Sequence, residues 1–492
     1  MKIKDFKSIG AGLCFAGMAA LTQAQGRPNI ILILLDDVSP DMFSCYAPFT
    51  PKGLEHAAKT PNIDKLAQSG VMFKTCYGAA MCSPSRVELM TGKYANTTGV
   101  YHNAMWTRER SYAVLEDYLS FGKILRDAGY ATAIAGKWHA GQVMPYEERG
   151  GFEEYCIWSQ VNEMKECDNY KGWTGGMEDE NTTSRYWNPG LIQNGKVLYT
   201  KPDDFGPQIC AGFLMDFMER SVKSGKPFFT YWPTVAPHGT RGGVTTNPFR
   251  GAIGEMGKSN PKENFNRFKS LIEYIDFLIG GITEKVNTLG IAENTIIIVT
   301  SDNGTAVTAK TRGVERGCHL VNIISGSNIK QRGASDELTD FSDIAPTLVD
   351  LSGARIPEGY QFDGKSLLPY ISGKTDYHRD WIYGYISTSQ CVRTKNYLLE
   401  VVNPMLGLPE GRFYYTGNNR FGKGYIRAEG LPEHAQAKQD LMKILKQFPP
   451  VTENDPFWQT NTGMNFFKEY TSPESVEKHI HNHPDWIYYN ED

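Results

Sequence analysis

The sequence has little excess charge of either sign and lacks a second long apolar run. Lys and Arg number 51 and Asp and Glu number 55, so the formal net charge at pH 7 is −4. That near balance gives no indication of nucleic-acid binding, which usually goes with a strongly basic surface. Beyond residue 21, no apolar stretch approaches the ~20 residues that a membrane-spanning helix requires. We therefore predict no nucleic-acid partner and no transmembrane segment in the mature chain.

Cysteine is too scarce and too uneven in number for a disulfide framework. Nine cysteines occur in 492 residues. Cys14 lies in the N-terminal apolar run, and Cys82 is assigned a different role below. Seven cysteines remain, and an odd number cannot all pair with one another. Cys156 and Cys167 are the pair we single out, because they lie near each other in a loop-rich stretch.

The N-terminus has the pattern of a secretory signal peptide. Lys2, Lys4 and Lys7 precede an apolar run over residues 9–21, and Thr22 and Ala24 are small residues where a signal peptidase reads. The pattern predicts a signal peptide over residues 1–24 and an exported, periplasmic or extracellular protein. The alternative, a short membrane anchor, is disfavoured by the length of the run.

Four apolar runs have the length and composition of buried parallel strands, and each ends in polar residues of a narrow set. Residues 29–35 are followed by two aspartates, 131–135 by G-K-W-H, 227–235 by A-P-H, and 295–300 by S-D-N-G. Helices are predicted over 60–67, 115–128, 205–222 and 265–289, so strands and helices alternate. Ligands of open α/β sheets bind at the carboxyl ends of the strands. The pattern therefore predicts one site that contains Asp36, Asp37, Lys137, His139, His238, Asp302 and Asn303.

A loop of small residues leads into a short predicted helix at Cys82. The stretch reads GAAMCSPSR over residues 78–86. Pro84 suits the first turn of a helix, because the missing N–H has no partner there in any case. Cys82 would lie at the positive end of this helix with Arg86 one turn on, which favours either a lowered thiol pKa or a bound sulfate or phosphate. The plain alternative is a buried free cysteine.

The motif C-S-P-S-R at residues 82–86, followed by Thr91-Gly92, resembles the signature of the type I sulfatases. In that family a maturation enzyme oxidises the cysteine to formylglycine. The hydrated aldehyde attacks the sulfur of a sulfate ester, and sulfate leaves as the aldehyde reforms. The resemblance therefore implies that Cys82 becomes the nucleophile.

The same resemblance implies a calcium site and a set of catalytic residues. One Ca²⁺ per chain would be held by Asp36, Asp37, Asp302 and Asn303 beside residue 82, and hard cations of this kind prefer oxygen ligands. The other residues with implied catalytic roles are Arg86, Lys137, His139, His238 and Lys310. Lys310 opens the stretch KTRGVERGCH, which resembles the family pattern K-x-x-x-x-E-G-G-x-R but has Arg316 where glycine is usual and His319 where arginine is usual.

The predicted fold class is α/β, with a large mixed, mostly parallel sheet sandwiched by helices as in alkaline phosphatase. Residues 25–373 would form the catalytic domain, and residues 374–492 a smaller C-terminal α+β domain with an antiparallel sheet over 381–387, 391–402 and 412–415 and a helix over 432–446. A stretch over 158–201, with a hairpin turn at Asn194-Gly195, is interpreted as an insertion over the site mouth.

The leading hypothesis is an exported sulfatase that acts on a sulfated carbohydrate. Two alternatives remain open at this point. One is a phosphodiester or phosphonate ester hydrolase of the same superfamily. The other is a noncatalytic protein that binds sulfated glycans, and the intact cysteine motif argues against it.

Overall fold

A ten-stranded mixed sheet lies at the centre of the computed structural model, which describes residues 26–103, 114–141, 143–158, 184–239, 245–249, 261–304, 310, 313–452 and 454–455. Its strands are β1 (Asn29–Leu35), β2 (Val71–Tyr77), β3 (Ala131–Gly136), β4 (Glu154–Trp158), β5 (Leu191–Gln193), β6 (Lys196–Leu198), β7 (Phe228–Pro233), β8 (Thr295–Ser301), β9 (Asn322–Gly326) and β10 (Gly333–Asp340). Their order is β10-β2-β9-β8-β1-β7-β3-β4-β5-β6. The strands β8, β1, β7, β3 and β4 are parallel neighbours, and antiparallel pairs flank them on both sides.

Helices pack on both faces of this sheet, whereas the last helix of the described residues packs on a second sheet. The helices are α1 (Gly53–His56), α2 (Pro61–Ser69), α3 (Cys82–Thr91), α4 (Ala95–Thr98), α5 (Val114–Asp117), α6 (Phe121–Asp127), α7 (Gly206–Lys223), α8 (Pro261–Thr288), α9 (Glu315–Cys318), α10 (Ile344–Ser352), α11 (Leu368–Ile371) and α12 (Ala435–Leu445). Short 3-10 turns cover Pro40–Met42, Ala47–Phe49, Ala292–Asn294, Phe341–Asp343, Pro404–Leu406 and Pro432–His434.

The central strand β1 shows why the sequence folds into three layers. All seven of its residues are buried. Ile31 and Ile33 belong to the core that α2, α7 and α8 cover, whereas Ile30 and Leu32 belong to the core under α3, α6 and α10. Successive side chains of a strand point to opposite faces. A continuous apolar run therefore needs helices on both sides, as the sequence predicted for this sheet.

A second, five-stranded antiparallel sheet lies in the C-terminal part of the chain. Its strands are β11 (Trp381–Ile386), β12 (Ser389–Thr394), β13 (Tyr397–Val402), β14 (Arg412–Tyr415) and β15 (Ile426–Arg427), paired in that order. Helix α12 buries Leu441 and Leu445 in a core with β11, β12 and β13. The α/β fold class with a smaller antiparallel C-terminal sheet is thus confirmed. The domain boundary near residue 373 stays a prediction.

Two predicted elements are divided in the structure. The helix expected over 115–128 is split into α5 and α6, because the Ser120 hydroxyl accepts a hydrogen bond from the Lys123 N–H at 3.0 Å and starts a new helix as its N-cap. The strand expected over 391–402 turns back at 395–396 to give β12 and β13. Asn194 and Gly195 have positive φ angles of 47° and 80° in the turn between β5 and β6, so the hairpin prediction is confirmed.

No helix among the described residues has both the length and the apolar character needed to cross a membrane. The predicted signal peptide, residues 1–24, lies outside the described part of the chain. Cys167 also lies outside it, while Cys156 is a buried free thiol near Cys210, whose Sγ is 3.8 Å from the Cys156 carbonyl oxygen.

A buried ion pair joins the second sheet to the catalytic part of the chain, and its loss should destabilise the fold. Arg393 on β12 contacts Glu315 on α9, and both side chains are fully buried. Arg393→Met leaves an unpaired buried carboxylate, so we expect the free energy of unfolding to fall by about 3 kcal/mol, measured by guanidinium denaturation. Arg427→Met, at a half-exposed pair with Glu429, is the matched control and should cost less than about 1 kcal/mol. Equal losses in the two variants would contradict this account.

Candidate active site

The four strands whose ends were predicted to form a site are adjacent and parallel in the order β8, β1, β7, β3. Their carboxyl ends therefore meet at one edge of the sheet. Backbone hydrogen bonds continue the pairing past the strands, from the Asp302 N–H to the Leu35 carbonyl at 2.9 Å and from the Asp36 N–H to the Ala236 carbonyl at 3.1 Å. The polar residues that follow these strands thus lie side by side.

The backbone at the strand ends is unusual in three places. Gly136 has φ 125°, and a Cβ atom there would lie 2.2 Å from the Pro233 carbonyl oxygen, so only glycine fits between β3 and β7. Asp37 and His139 adopt left-handed backbone conformations with φ angles of 61° and 49°. Non-glycine residues are uncommon in this region and often mark functional sites.

Helix α3 begins at Cys82, as the position of Pro84 predicted, and ends at Gly92, whose φ of 66° is a left-handed C-cap. Every residue of the helix is buried. The Ser83 N–H donates to the Asn103 Oδ1 at 2.9 Å, so a side chain from outside the helix satisfies one of its N-terminal donors. The Cys82 side chain is thereby placed at a fixed helix end.

The Cys82 sulfur lies among two carboxylates and an ammonium group. Its Sγ is 3.6 Å from Asp36 Oδ1, 3.8 Å from Asp37 Oδ1 and 3.1 Å from Lys310 Nζ. Lys310 in turn lies 2.5 Å from Asp37 Oδ1. The stretch that contains Lys310 thus brings a cation to residue 82 despite its two departures from the family pattern.

The paired aspartates also contact the other predicted bases and cations. Lys137 Nζ lies 2.7 Å from Asp36 Oδ2, and His238 Nε2 lies 3.2 Å from Asp37 Oδ2. Asn303 Nδ2 donates to Asp37 Oδ1 at 2.6 Å. The structure therefore brings the predicted aspartates, lysines, histidine and asparagine into one cluster around Cys82.

Asp302 and Arg86 form a buried pair at the back of this cluster. Arg86 Nε and Nη2 lie 3.0 Å and 2.8 Å from Asp302 Oδ2, and Arg86 Nη1 donates to the Lys137 carbonyl oxygen at 2.9 Å. The Asp37 N–H donates to Asp302 Oδ1 at 3.0 Å. This pair ties α3 to the ends of β1, β3 and β8 and so supports the helix that begins at Cys82.

The electrostatics keep Asp36 and Asp37 ionised. Burial by itself would raise the pKa of Asp36, but Lys137, Arg86 and Lys310, joined by His238 when its ring is protonated, hold that pKa well below its usual value. Burial opposes the lowering of the Asp37 pKa too, and Lys310 and Lys137, again joined by the protonated His238 ring, outweigh it. Negative charge is therefore retained beside Cys82, as a cation site requires.

The unmodified Cys82 thiol is not activated as a thiolate. Burial, with a further contribution from Asp302 and Asp36, raises its pKa to about 12 even though Lys137 and Lys310 oppose the shift. The first of the two options that the sequence left open, a lowered thiol pKa, is therefore wrong. Neither the helix end nor Arg86 overcomes the effect of burial on this pKa. A neutral thiol is a weak nucleophile at neutral pH.

The two histidines remain neutral at neutral pH in this environment. Burial lowers the pKa of His238 to about 3, with Arg185 and Lys310 adding to the effect against Asp37 and Asp36. Burial also lowers the pKa of His139 well below its usual value, and Lys137 and Arg86 act in the same direction. Each ring therefore carries one N–H and one free nitrogen, so each can donate one hydrogen bond.

The residues present fit a hard dication. Asp36, Asp37, Cys82 and His238 each offer a ligand atom, and these atoms lie within 4.8 Å of one another. Asn303 Oδ1 is buried without a hydrogen-bond partner among the described residues, as expected of an oxygen kept for a metal. The sulfur of Cys82 is the poor member of an otherwise oxygen-rich set, and an oxygen at that position would complete it.

Sequence reasoning missed two residues of the site. Asn103 supports the start of α3, and Arg185 lies beside the His238 ring with Nη2 3.3 Å from Nδ1. Neither follows a predicted strand or belongs to a recognised motif. Arg185 does fall within the 158–201 stretch that was interpreted as an insertion over the site, although residues 159–183 of it lie outside the described part of the chain.

Glu88 on helix α3 should make the stability of the protein depend on pH. Its side chain is buried and its Oε1 has no hydrogen-bond partner among the described residues. Burial, with Asp340 and other groups adding to it, raises its pKa well above the usual value. The folded state therefore binds a proton that the unfolded state releases, and stability falls as pH rises above the unfolded pKa, by at most about 1.4 kcal/mol per pH unit.

Glu88→Gln should remove this decrease of stability with rising pH. We expect the variant to gain stability relative to the wild type as pH is raised from about 5 to 8, measured by guanidinium denaturation at each pH. Glu410→Gln, at a side chain that is 72% exposed, is the control and should leave the pH dependence unchanged. A constant difference between Glu88→Gln and the wild type across this range would show that Glu88 does not bind the extra proton.

Comparison with known proteins finds sulfatases. A family model described as Sulfatase matches residues 28–354. The N-acetylgalactosamine-6-sulfatase of Canis lupus familiaris is 27% identical over 393 residues, which cover 73% of this chain and 69% of that protein. The arylsulfatase A of Homo sapiens is 26% identical over 392 residues, which cover 74% of this chain and 72% of that protein.

Two solved structures show the same fold at low identity. That of Ps i-CgsB in complex with k-i-k-neocarrahexaose has a TM-score of 0.68 and 21% identity, covering 92% of this chain and 99% of that one. That of BT4656 in complex with its substrate D-glucosamine-2-N,6-O-disulfate has a TM-score of 0.59 and 20% identity, covering 87% and 99%.

Proposed function

The chain belongs to the sulfatase family and is a sulfuric ester hydrolase, and from that premise we propose that it cleaves sulfate esters of a carbohydrate with a formylglycine made from Cys82 and one bound calcium ion. The observation that carries the proposal is the position of Cys82, buried at the start of α3 within 4 Å of Asp36, Asp37 and Lys310. A thiol with a raised pKa has little use there, whereas an oxygen nucleophile fits the charges around it.

Formylglycine at position 82 would supply a hydrated aldehyde. One of its hydroxyls would attack sulfur as the S–O bond to the sugar breaks and the sugar alcohol leaves. Loss of the proton from the other hydroxyl would then release sulfate as the aldehyde reforms, and water would hydrate the aldehyde again. Lys310 and Lys137 would bind the sulfate oxygens, and the position of both ammonium groups beside residue 82, at Asp37 and Asp36, supports this role. His238 would donate a hydrogen bond to the ester, and His139 to residue 82. Fixed positive charge of this kind stabilises the charge that spreads over the peripheral oxygens in the transition state.

Calcium would be held by Asp36, Asp37, Asp302 and Asn303 together with an oxygen on residue 82. When bound, it would supply positive charge that polarises the ester and orients the nucleophile. Arg86 holds Asp302 in place from the buried side through Oδ2, and Asp302 Oδ1 accepts the Asp37 N–H, which fixes both carboxylates relative to each other. We also propose that the protein is exported, as the N-terminal pattern predicts. Because Cys82 is buried in the folded chain, a maturation enzyme would act on it before or during folding.

A carbohydrate substrate is supported by two features. Curated relatives named above include an N-acetylgalactosamine-6-sulfatase, and the solved relatives of similar fold were determined with bound saccharides.

The proposed function is tested by measuring sulfate release. The protein, produced together with a maturation enzyme, should release sulfate from members of a panel of sulfated saccharides, by ion chromatography, and should act far more weakly on a matched aryl phosphate diester. Preference for the diester would instead support the phosphodiesterase alternative. Sulfated-glycan binding that Cys82→Ala leaves unchanged, with no product from either protein, would support a noncatalytic role.

A further inference from the structure

A buried arginine contacts the ring of His238 on the side away from the aspartates. Arg185 Nη2 lies 3.3 Å from His238 Nδ1, and the arginine is only 3% exposed. Its guanidinium group also lies 5.2 Å from the centre of the Trp158 ring, at the end of β4. A planar guanidinium stacked on an aromatic face has a restricted orientation, so this contact with His238 is directed.

The chain next to Arg185 is fastened to the same loop that carries His238. The Tyr186 hydroxyl lies 2.9 Å from the Val235 carbonyl oxygen and 2.8 Å from the His238 carbonyl oxygen. The Gly206 N–H donates to the Tyr186 carbonyl at 2.7 Å, which joins this segment to the start of α7. Arg185 therefore approaches the imidazole from a rigid frame.

The chemistry of the two neighbours determines where the hydrogen of a neutral imidazole lies. A guanidinium group only donates hydrogen bonds, so the Nδ1 that faces Arg185 must be the free nitrogen. A carboxylate only accepts them, and His238 Nε2 lies 3.2 Å from Asp37 Oδ2, so the hydrogen belongs on Nε2. Both contacts select the same tautomer.

One further contact favours the opposite arrangement. The Gly239 carbonyl oxygen lies closer to His238 Nδ1 than Arg185 does and would accept a hydrogen from it. That tautomer would turn an N–H toward the Arg185 donor and a free nitrogen toward the Asp37 carboxylate. It therefore satisfies one contact and loses two, which makes Arg185 the residue that decides between the two forms.

We propose that Arg185 is a positioning residue that keeps the hydrogen of His238 on Nε2, the nitrogen that faces the nucleophile and the sulfate ester. Without Arg185, the Gly239 carbonyl at Nδ1 and the Asp37 carboxylate at Nε2 remain as opposing acceptors, and the share of the Nδ1–H form rises. In that form the ring has no hydrogen-bond donor toward the substrate. This catalytic consequence rests on the proposed function, whereas the position of the hydrogen does not.

The position of the hydrogen can be observed directly in the calcium-loaded protein. Long-range ¹H–¹⁵N spectra of enzyme labelled with ¹⁵N-histidine distinguish a protonated from a free ring nitrogen, and His238→Gln identifies the signal. We expect Nε2–H in the wild type and in Arg185→Lys, and a shift toward Nδ1–H in Arg185→Met. A wild-type ring with Nδ1–H, or a spectrum that Arg185→Met leaves unchanged, overturns the proposal even if no sulfate ester is turned over.

Kinetics then test the consequence with a substrate identified in the sulfate-release panel. Arg185→Met should lower kcat about 10²-fold with a small change in KM, and should have no further effect in a His238→Gln background. Arg185→Lys should recover most of the loss. Arg220→Met, which removes the same charge from an exposed position on α7, is the control and should act like the wild type. Additive losses in the double variant would show that Arg185 does not act through His238.

Discussion

Cys82→Ala should reduce kcat for sulfate release on the order of 10⁶-fold, the size of effect seen when a covalent nucleophile is removed from a hydrolase. Among the described residues of the cluster, only residue 82 both begins a helix and has its side-chain atom next to Lys310. Alanine leaves Asp36, Asp37 and the lysines in place, so the loss would come from the missing nucleophile. Ion chromatography of released sulfate measures it.

The control for this prediction is Cys45→Ala, which removes a half-buried thiol outside the cluster and should keep full activity. Peptide mass spectrometry across position 82 gives the independent readout. Active wild-type protein should carry the mass of formylglycine there. If active protein purified from its native source carried only cysteine at this position, the proposed nucleophile would be wrong.

Asp37→Ala should lower kcat/KM on the order of 10⁴-fold and abolish calcium binding, because several kcal/mol of charge stabilisation depend on the cation. Asp37 contacts Lys310, His238 and Asn303 and lies 3.8 Å from the Cys82 sulfur, so it is the carboxylate shared by most of the cluster. Isothermal titration of the metal-free protein with calcium measures binding, and the rise in Tm on adding calcium gives a second readout.

Asp336→Asn, at a carboxylate that is 54% exposed, is the control and should bind calcium normally. Chelation of the wild-type protein should likewise abolish activity, and added calcium should restore it. Full activity of Asp37→Ala, or of the chelated wild type, would remove calcium from the proposed mechanism.

The fold class and the residues at the strand ends could be predicted because both depend on local sequence. A continuous apolar run such as Asn29–Leu35 requires cover on both faces, and its neighbours in the chain determine where it ends. The helix start at Cys82 is equally local, since Pro84 favours a first turn. Ser120 is also a local signal, because serine is a favoured N-cap. The apolar periodicity over 115–128 nevertheless predicted one continuous helix.

The state of the site could not be read from the sequence, because pKa values depend on what surrounds a group in space. Cys82 at a helix start next to Arg86 predicted a lowered thiol pKa or a bound anion. In the structure Arg86 forms an ion pair with Asp302, and burial raises the thiol pKa of Cys82. The desolvation of a group is a property of the packed core, and no short motif encodes it.

The alternation of strands and helices, the motif at residues 82–86 and the chemical types that follow each strand can all be read from short stretches of sequence. The pairing of Arg86 with Asp302, the support of helix α3 by Asn103 and the approach of Arg185 to His238 arise only in the folded chain. The difference lies in the range of the interactions. Apolar periodicity and turn chemistry act over a few residues, whereas these contacts join residues 20 to 216 positions apart and exist only once the sheet has brought its strand ends together.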